Sequence, residues 1–380
     1  MSGEHMFVSA DDHVLETPDL WTSRLSSRRW GERIPHLERE AAGTERWIVD
    51  GQNFPLLGGG SVGACVKDPN YTPQRWQDVP GACYQPRERL AAMNTDGTAY
   101  SVLYPMVAGI AGEVFSRIRD AELEIACVRA YNDWLIDEWG QSSNRFLTQC
   151  ILPLSSVTAA IEEAQRAIGK GHKGIVFPAV PSHLRPELKH TNDPVYEPFW
   201  SVCEDLGVPL CFHAGASSRL QLPAYAGYSP AVTQAFESYT RPFSAINFMG
   251  NFLISRILER HPGLRIIFAE TGLGWITFAL ETQDYAFEQT RVKQHLGYKL
   301  NPSEAFQRQC YVIGWYDKQS LRQACRFPGA NNILWATNFP LATSPWPKTS
   351  EAIDVCFAGI SEADRRKVLW ANAARLYGAE

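Results

Sequence analysis

Eight short apolar runs recur along the chain, and the stretches between them return apolar residues every three or four positions. The runs begin at residues 7, 99, 146, 174, 208, 264, 310 and 332, and include FVSADDH, AYSVLYP, VPLCFHAG, LRIIFAETG, CYVIGW and NILWATNFP. None alternates strictly between apolar and polar positions, as expected of strands buried on both faces in a parallel sheet. The periodic stretches predict helices over 87–96, 117–139, 194–206, 244–260, 275–288, 317–326 and 361–376, and SVTAAIEEAQRAIGK predicts another behind a serine cap. Strands alternating with helices in this number predict an α/β fold, a (β/α)8 TIM barrel, with residues 1–380 as one barrel domain. A doubly wound sheet is the rival. It lacks its signature here, because no G-x-G-x-x-G follows the first strand and the GLG of ETGLGW comes only after the sixth.

Two segments break the pattern. The first, about 14–89, is punctuated by GGGSVG, DPN and prolines 55, 73, 80 and 86, yet carries Trp30, Trp47, Tyr71, Trp76 and Tyr84. The second is about 216–242. Both read as irregular insertions that fold over the body as a cover or lid. GGSVG also fits the G-x-S-x-G pattern of a nucleophile elbow, but that motif needs a strand before and a helix after the serine, so Ser61 is read as a turn residue.

With 45% hydrophobic and 12% aromatic residues, 380 residues suffice for a large core. The formal charge is −5 with both signs interspersed, which argues against nucleic acid or an anionic membrane as the partner and leaves small molecules. The nine cysteines are scattered, without a C-x-x-C pair, and read as reduced core thiols suited to the cytoplasm. The first residues show no basic-then-apolar leader, and no apolar stretch approaches the roughly 18 residues of a membrane span.

Barrel enzymes place their chemistry at the C-terminal ends of the strands. The first run ends in Asp11, Asp12 and His13; a period of two puts Asp11 and His13 on one side, able to grip an ion, and turns Asp12 away. That triplet alone also fits a capped turn. The fifth run ends in His213 and the sixth in Glu270, an imidazole and a carboxylate that need partners if buried. Tyr104, Trp275 and Trp315 are candidate pocket walls, and Arg219 and Arg241 candidates for pairing with a substrate carboxylate. His5, His36, His172, His183, His190, His261 and His295 stand in polar surroundings and read as surface or capping residues.

SADDHVLETPDLW, VPLCFHAG, RPFSAINFMGNFLISRILERHPGLRIIFAETGLGWI and NAARLYG together resemble the amidohydrolase-related branch of the amidohydrolase superfamily, which includes aminocarboxymuconate-semialdehyde decarboxylase and gamma-resorcylate decarboxylase. The resemblance spans nearly the whole chain. It implies one divalent metal, zinc or manganese, held by Asp11, His13 and His213, a small-molecule substrate and a homodimer. In the family the sixth strand commonly offers a histidine that handles the metal-bound water or the substrate; Glu270 stands there, as in one subgroup. The eighth strand normally ends in SDYPH, whose aspartate is a ligand and proton-transfer group, whereas this chain has ATNFPL with Asn338 in its place.

An amide in that position removes a negative charge and a base but keeps the shape and a carbonyl oxygen. Decarboxylation tolerates the change better than hydrolysis does, because it needs a protonated carbon and no strong hydroxide. The leading expectation is a metal-dependent lyase acting on a small cyclic or enolic acid, with Glu270 moving the proton and His213 and Asn338 beside it. Two alternatives stay open: a metal-free barrel reused for cyclisation, dehydration or isomerisation with Glu270 as acid/base, and a non-catalytic binding barrel.

Overall fold

The structure is a computed structural model that describes residues 6–58, 60–66, 68, 71–214, 216 and 227–379. Its strands in chain order are β1 (Phe7–His13), β2 (His36–Arg39), β3 (Glu45–Val49), β4 (Gln52–Pro55), β5 (Thr98–Tyr104), β6 (Phe146–Ile151), β7 (Gly174–Val176), β8 (Leu210–His213), β9 (Ile266–Ala269), β10 (Cys310–Gly314) and β11 (Ile333–Trp335). Eight of them form one sheet in the order β1-β5-β6-β7-β8-β9-β10-β11, every neighbouring pair parallel. Helices separate them, as the apolar periodicity predicts, giving a nearly closed (β/α)8 barrel.

Side-chain alternation sorts the core into two shells. Val8, Tyr104, Cys211, Ile267, Ile313 and Leu334 face the barrel interior cluster, while Phe7, Leu210, Ile266, Phe268, Val312 and Trp335 pack outward against the helices. The seam between β11 and β1 is sewn just past the end of β11. Asn338 N donates to the Asp11 carbonyl at 2.9 Å and His13 N to the Phe339 carbonyl at 2.6 Å.

Asp12 points away from Asp11 and His13, as the period of two predicts; a register shift of β1 between Ser9 and Asp12 keeps it off the face of Val8, and it holds the seam from the other side. Its Oδ1 accepts from Ser9 Oγ (2.9 Å), Thr337 Oγ1 (2.5 Å) and Phe339 N (3.0 Å), and its Oδ2 from Ser101 Oγ (2.5 Å). Burial pushes its carboxyl up to about 6, against the opposing charge of Arg89 and these hydrogen bonds. Arg89, itself buried, lies over the Phe339 ring at 4.5 Å and donates Nη2 to the His13 carbonyl at 2.6 Å.

The first insertion is more ordered than its punctuation suggests. β2, β3 and β4 pair as a separate three-stranded antiparallel sheet, anchored by buried Trp47 against Trp21 with ring centroids 5.6 Å apart. Strands of four and five residues carrying HLER and ERWIV are too short and too charged for an apolar pattern to register. Ser61 is a turn residue as predicted: its hydroxyl donates to the Gly58 carbonyl at 2.8 Å.

The second insertion is shorter than predicted, because its later part is the start of the helix Pro230–Ile254. Ser229 caps that helix and Pro230 opens it, a start signal that outweighs Pro242 further on. A helix over Pro302–Gln309, opened by an Asn301–Glu304 capping box, lies outside the predicted helices. No helix among the described residues is long and apolar enough to cross a membrane.

Candidate metal centre

The C-terminal ends of β1, β8, β9 and β11 converge on a buried polar group inside the barrel mouth. Asp11, His13 and His213 each present a ligand atom, and these atoms lie within 4.8 Å of one another. His213 Nε2 stands 3.3 Å from Asp11 Oδ2, and His13 Nε2 stands 3.6 Å from Asp11 Oδ1. Two ligands each about 2.1 Å from a shared ion lie roughly 3.0–3.4 Å apart, so the first spacing suits a common metal and the second is slightly wide.

Hydrogen bonding makes the same point. Asp11 is 1% exposed, yet among the described residues neither of its carboxylate oxygens has a hydrogen-bond partner, and His213 Nε2 has none either. A buried carboxylate in that condition is costly without a cation. The other ring nitrogen of His213 donates to the Ala214 carbonyl at 2.6 Å, so when the ring is deprotonated it is Nε2 that carries the lone pair an ion would take. One carboxylate oxygen and two imidazole nitrogens suit a divalent zinc or manganese ion.

Glu270 and Asn338 complete the group. Glu270 Oε2 lies 3.7 Å from His213 Nδ1, and its Oε1 accepts from Asn338 Nδ2 at 3.2 Å. Asn338 Oδ1 in turn lies 3.2 Å from His13 Nε2. Both residues hold left-handed backbone, with φ of 53° and 54°. Among non-glycine residues that conformation is uncommon and concentrates at functional sites.

The carboxylates split the two histidines. Burial alone would lower His213, but Asp11 and Glu270 outweigh it and push the imidazole up to about 9. His13 is lowered instead, chiefly by burial, although Asp11 opposes the change.

A model of the amidohydrolase family matches residues 44–379. The chain belongs to the amidohydrolase family. Among curated proteins, a gamma-resorcylate decarboxylase of Rhizobium sp. (strain MTP-10005) is 26% identical to this amidohydrolase over 299 residues, covering 76% of this chain and 86% of its own. In fold, it resembles an amidohydrolase from Mycobacterium avium subsp. paratuberculosis K-10 with a TM-score of 0.77 and 21% identity, over 98% of this chain and 99% of that one. A dihydroxybenzoic acid decarboxylase from Polaromonas sp. JS666, solved with bound manganese and the inhibitor 2-nitroresorcinol, aligns with a TM-score of 0.65 and 18% identity, over 98% of this chain and 96% of that one.

The remaining site candidates of this amidohydrolase lie around that group or away from it. Tyr104 forms the floor: it is fully buried, its ring centroid is 5.1 Å from that of His213, and its hydroxyl meets Cys211 Sγ at 3.0 Å. Trp315 follows the end of β10 and is buried, and its Nε1 has no hydrogen-bond partner among the described residues. Trp275 spends its indole N–H on the Thr271 and Gly272 carbonyls at 3.1 and 3.0 Å. Arg219 lies outside the described residues, and Arg241 is a position of the helix Pro230–Ile254.

A cavity of about 150 Å³ opens beside His213, lined by Phe212, Phe248, Phe268, His183, His190 and Asn251 among others. His183 and His190 thus sit nearer the site than their polar sequence context suggests. His172 is also no surface residue: it is 2% exposed and donates Nε2 to the Asn132 carbonyl at 2.9 Å. His261, 6% exposed, is clamped between Glu197 and Glu204, each at 3.0 Å.

Proposed function

We propose that this amidohydrolase is a metal-dependent lyase that releases carbon dioxide from a small aromatic acid carrying a hydroxyl beside its carboxylate. The observation that carries it is the buried set of Asp11, His13 and His213 with unpartnered ligand atoms, next to a carboxylate and an amide and nothing more basic on β11. The curated relative named for gamma-resorcylate, which is such an acid, supports the substrate class. Manganese is the first metal to test and zinc the second, both within a homodimer.

Asp11, His13 and His213 would hold the ion, which supplies a positive charge able to bind the substrate's phenolic and carboxylate oxygens. Glu270 would move the proton that the ring carbon needs when the carboxylate leaves. Asn338 keeps that carboxyl in place through its Nδ2 donation to Oε1. Hydrolysis would need a base to activate water, and Asn338 offers no such atom. Tyr104 closes the site from below, and the first insertion closes its β11 side, where Ala64 N donates to the Pro340 carbonyl at 3.1 Å and Ala342 N to the Gly60 carbonyl at 2.8 Å.

The test is metal analysis with carbon dioxide release from gamma-resorcylate and related hydroxybenzoates, in the native protein and in His213→Ala. Metal near one ion per chain and measurable release, both lost in the variant, is the expected result. Metal that survives the substitution at full occupancy, or native protein loaded with metal and inert across the hydroxybenzoates, overturns it.

A further inference from the structure

Away from the metal group, two cysteines face each other across the first insertion. Cys65 Sγ lies 3.7 Å from Cys83 Sγ, and both are free thiols. Disulfide sulfurs stand about 2.05 Å apart, so the pair needs to close by less than roughly 2 Å. Cys83 is buried, whereas Cys65 is only half-buried and can be reached from solvent.

The facing is built by backbone contacts on both sides. The Cys83 carbonyl accepts from Leu15 N at 2.9 Å, and Ala64 N donates to the Pro340 carbonyl at 3.1 Å. Each cysteine is therefore pinned to a segment that leaves the barrel mouth, one beyond β1 and one beyond β11. The Cys65 thiol is lowered from its ordinary value by its hydrogen bond with Cys83 and, against burial, by the positive charge of Arg89. Arg89 is fixed nearby through Nε to the Ala82 carbonyl at 2.8 Å. A lowered, reachable thiol beside a second, buried one is the arrangement of an attacking and a resolving cysteine.

We propose that Cys65 and Cys83 are a redox modification site that closes reversibly into a disulfide when a hydroperoxide reaches it. The Cys65 thiolate attacks the terminal peroxide oxygen; the O–O bond breaks, the alkoxide or hydroxide leaves and takes up a proton, and Cys65 becomes a sulfenic acid. Cys83 sulfur then attacks Cys65 sulfur, the S–O bond breaks, and hydroxide departs as water with the proton from Cys83. Two thiols lose two electrons in total and the peroxide gains them. A dithiol reductant reverses the exchange. The disulfide would tie two parts of the first insertion together beside the barrel mouth, between the exits of β1 and β11.

The experiment treats the full-length protein with hydrogen peroxide at near-equimolar amounts, blocks residual thiols, and maps peptides without reduction. The expected result is a Cys65–Cys83 linked peptide two hydrogens lighter than its parts, two of the nine thiols lost, and full recovery on adding a dithiol. Cys65→Ser, at the half-buried position, should remove the linked peptide and spare the fold. A Cys65 that stops at sulfenic or sulfinic acid with Cys83 still free overturns the proposal. So does oxidation of other cysteines while this pair remains reduced. Both outcomes are read on the native chain, so the proposal stays testable if a variant folds poorly.

Discussion

Asn338 Nδ2 and Glu270 Oε1 share a hydrogen bond of 3.2 Å between two strand ends that both take up left-handed backbone. The amide thus faces two ways, with its oxygen at 3.2 Å from His13 Nε2. A carboxylate in its place would meet Glu270 oxygen to oxygen.

Asn338→Asp should therefore raise divalent-metal affinity at least about tenfold, on the order of 1.4 kcal/mol, by adding a hard anionic ligand. The same change should lower the metal-free melting temperature at neutral pH, because two like charges then share a buried contact. Titration calorimetry and melting curves with and without manganese check both effects. If neither quantity moves, Asn338 only packs.

Glu270→Gln keeps the shape and removes the proposed proton carrier. Turnover should fall roughly 10²–10⁴-fold while metal content stays at the native level. Steady-state kinetics beside metal analysis distinguish the outcomes: metal lost in step with turnover would make Glu270 a ligand instead.

Asp12→Ala should cost about 3–5 kcal/mol of stability, because Arg89 keeps its buried charge while Ser9, Ser101 and Thr337 lose a common acceptor. A urea midpoint shifted by less than a third of that would mean water replaces the carboxylate. Asp12→Asn should be milder, since it keeps one acceptor oxygen.

His172 gives the fold an acid-sensitive element far from the metal ligands in sequence. Burial lowers its imidazole from 6.5 to about 4, although its bond to the Asn132 carbonyl opposes this. Between those values the unfolded chain binds the extra proton and the folded one does not, so stability rises with pH across the window and is lost on acidification. The loss from this residue should reach about 2 kcal/mol by pH 5. His172→Gln, which retains a donor for Asn132, should flatten the slope of urea midpoints between pH 5 and 7; an unchanged slope would assign the acid sensitivity elsewhere.

The chain announces its barrel because each strand is an apolar run long enough to show against its helices, and Asp11, His13, His213 and Glu270 are visible as polar interruptions where such runs end. What it hides depends on contacts distant in sequence. Nothing near Asn338 reveals that its two ends meet His13 and Glu270. His172 looks solvated between KG and KG, but the helix bearing Asn132 covers it. The small β2–β4 sheet stays hidden because its stability lies in Trp47 against Trp21 and not in any repeat of its own.

The seam beside the ligands has a consequence for the making of the protein. Asp11 and His13 emerge from the ribosome first, and His213 follows long before Asn338, which lies 325 residues beyond His13. In the finished fold β1 has β5 on one side and the seam past β11 on the other, so until that seam is made one edge of β1 would lie open. A nascent chain would carry the candidate metal-binding set of Asp11, His13 and His213 well before it could hold that set in shape. Cellular metal reaching it too early would meet three loose candidate ligands, and the selectivity of a finished site would be established only when the last strand arrives.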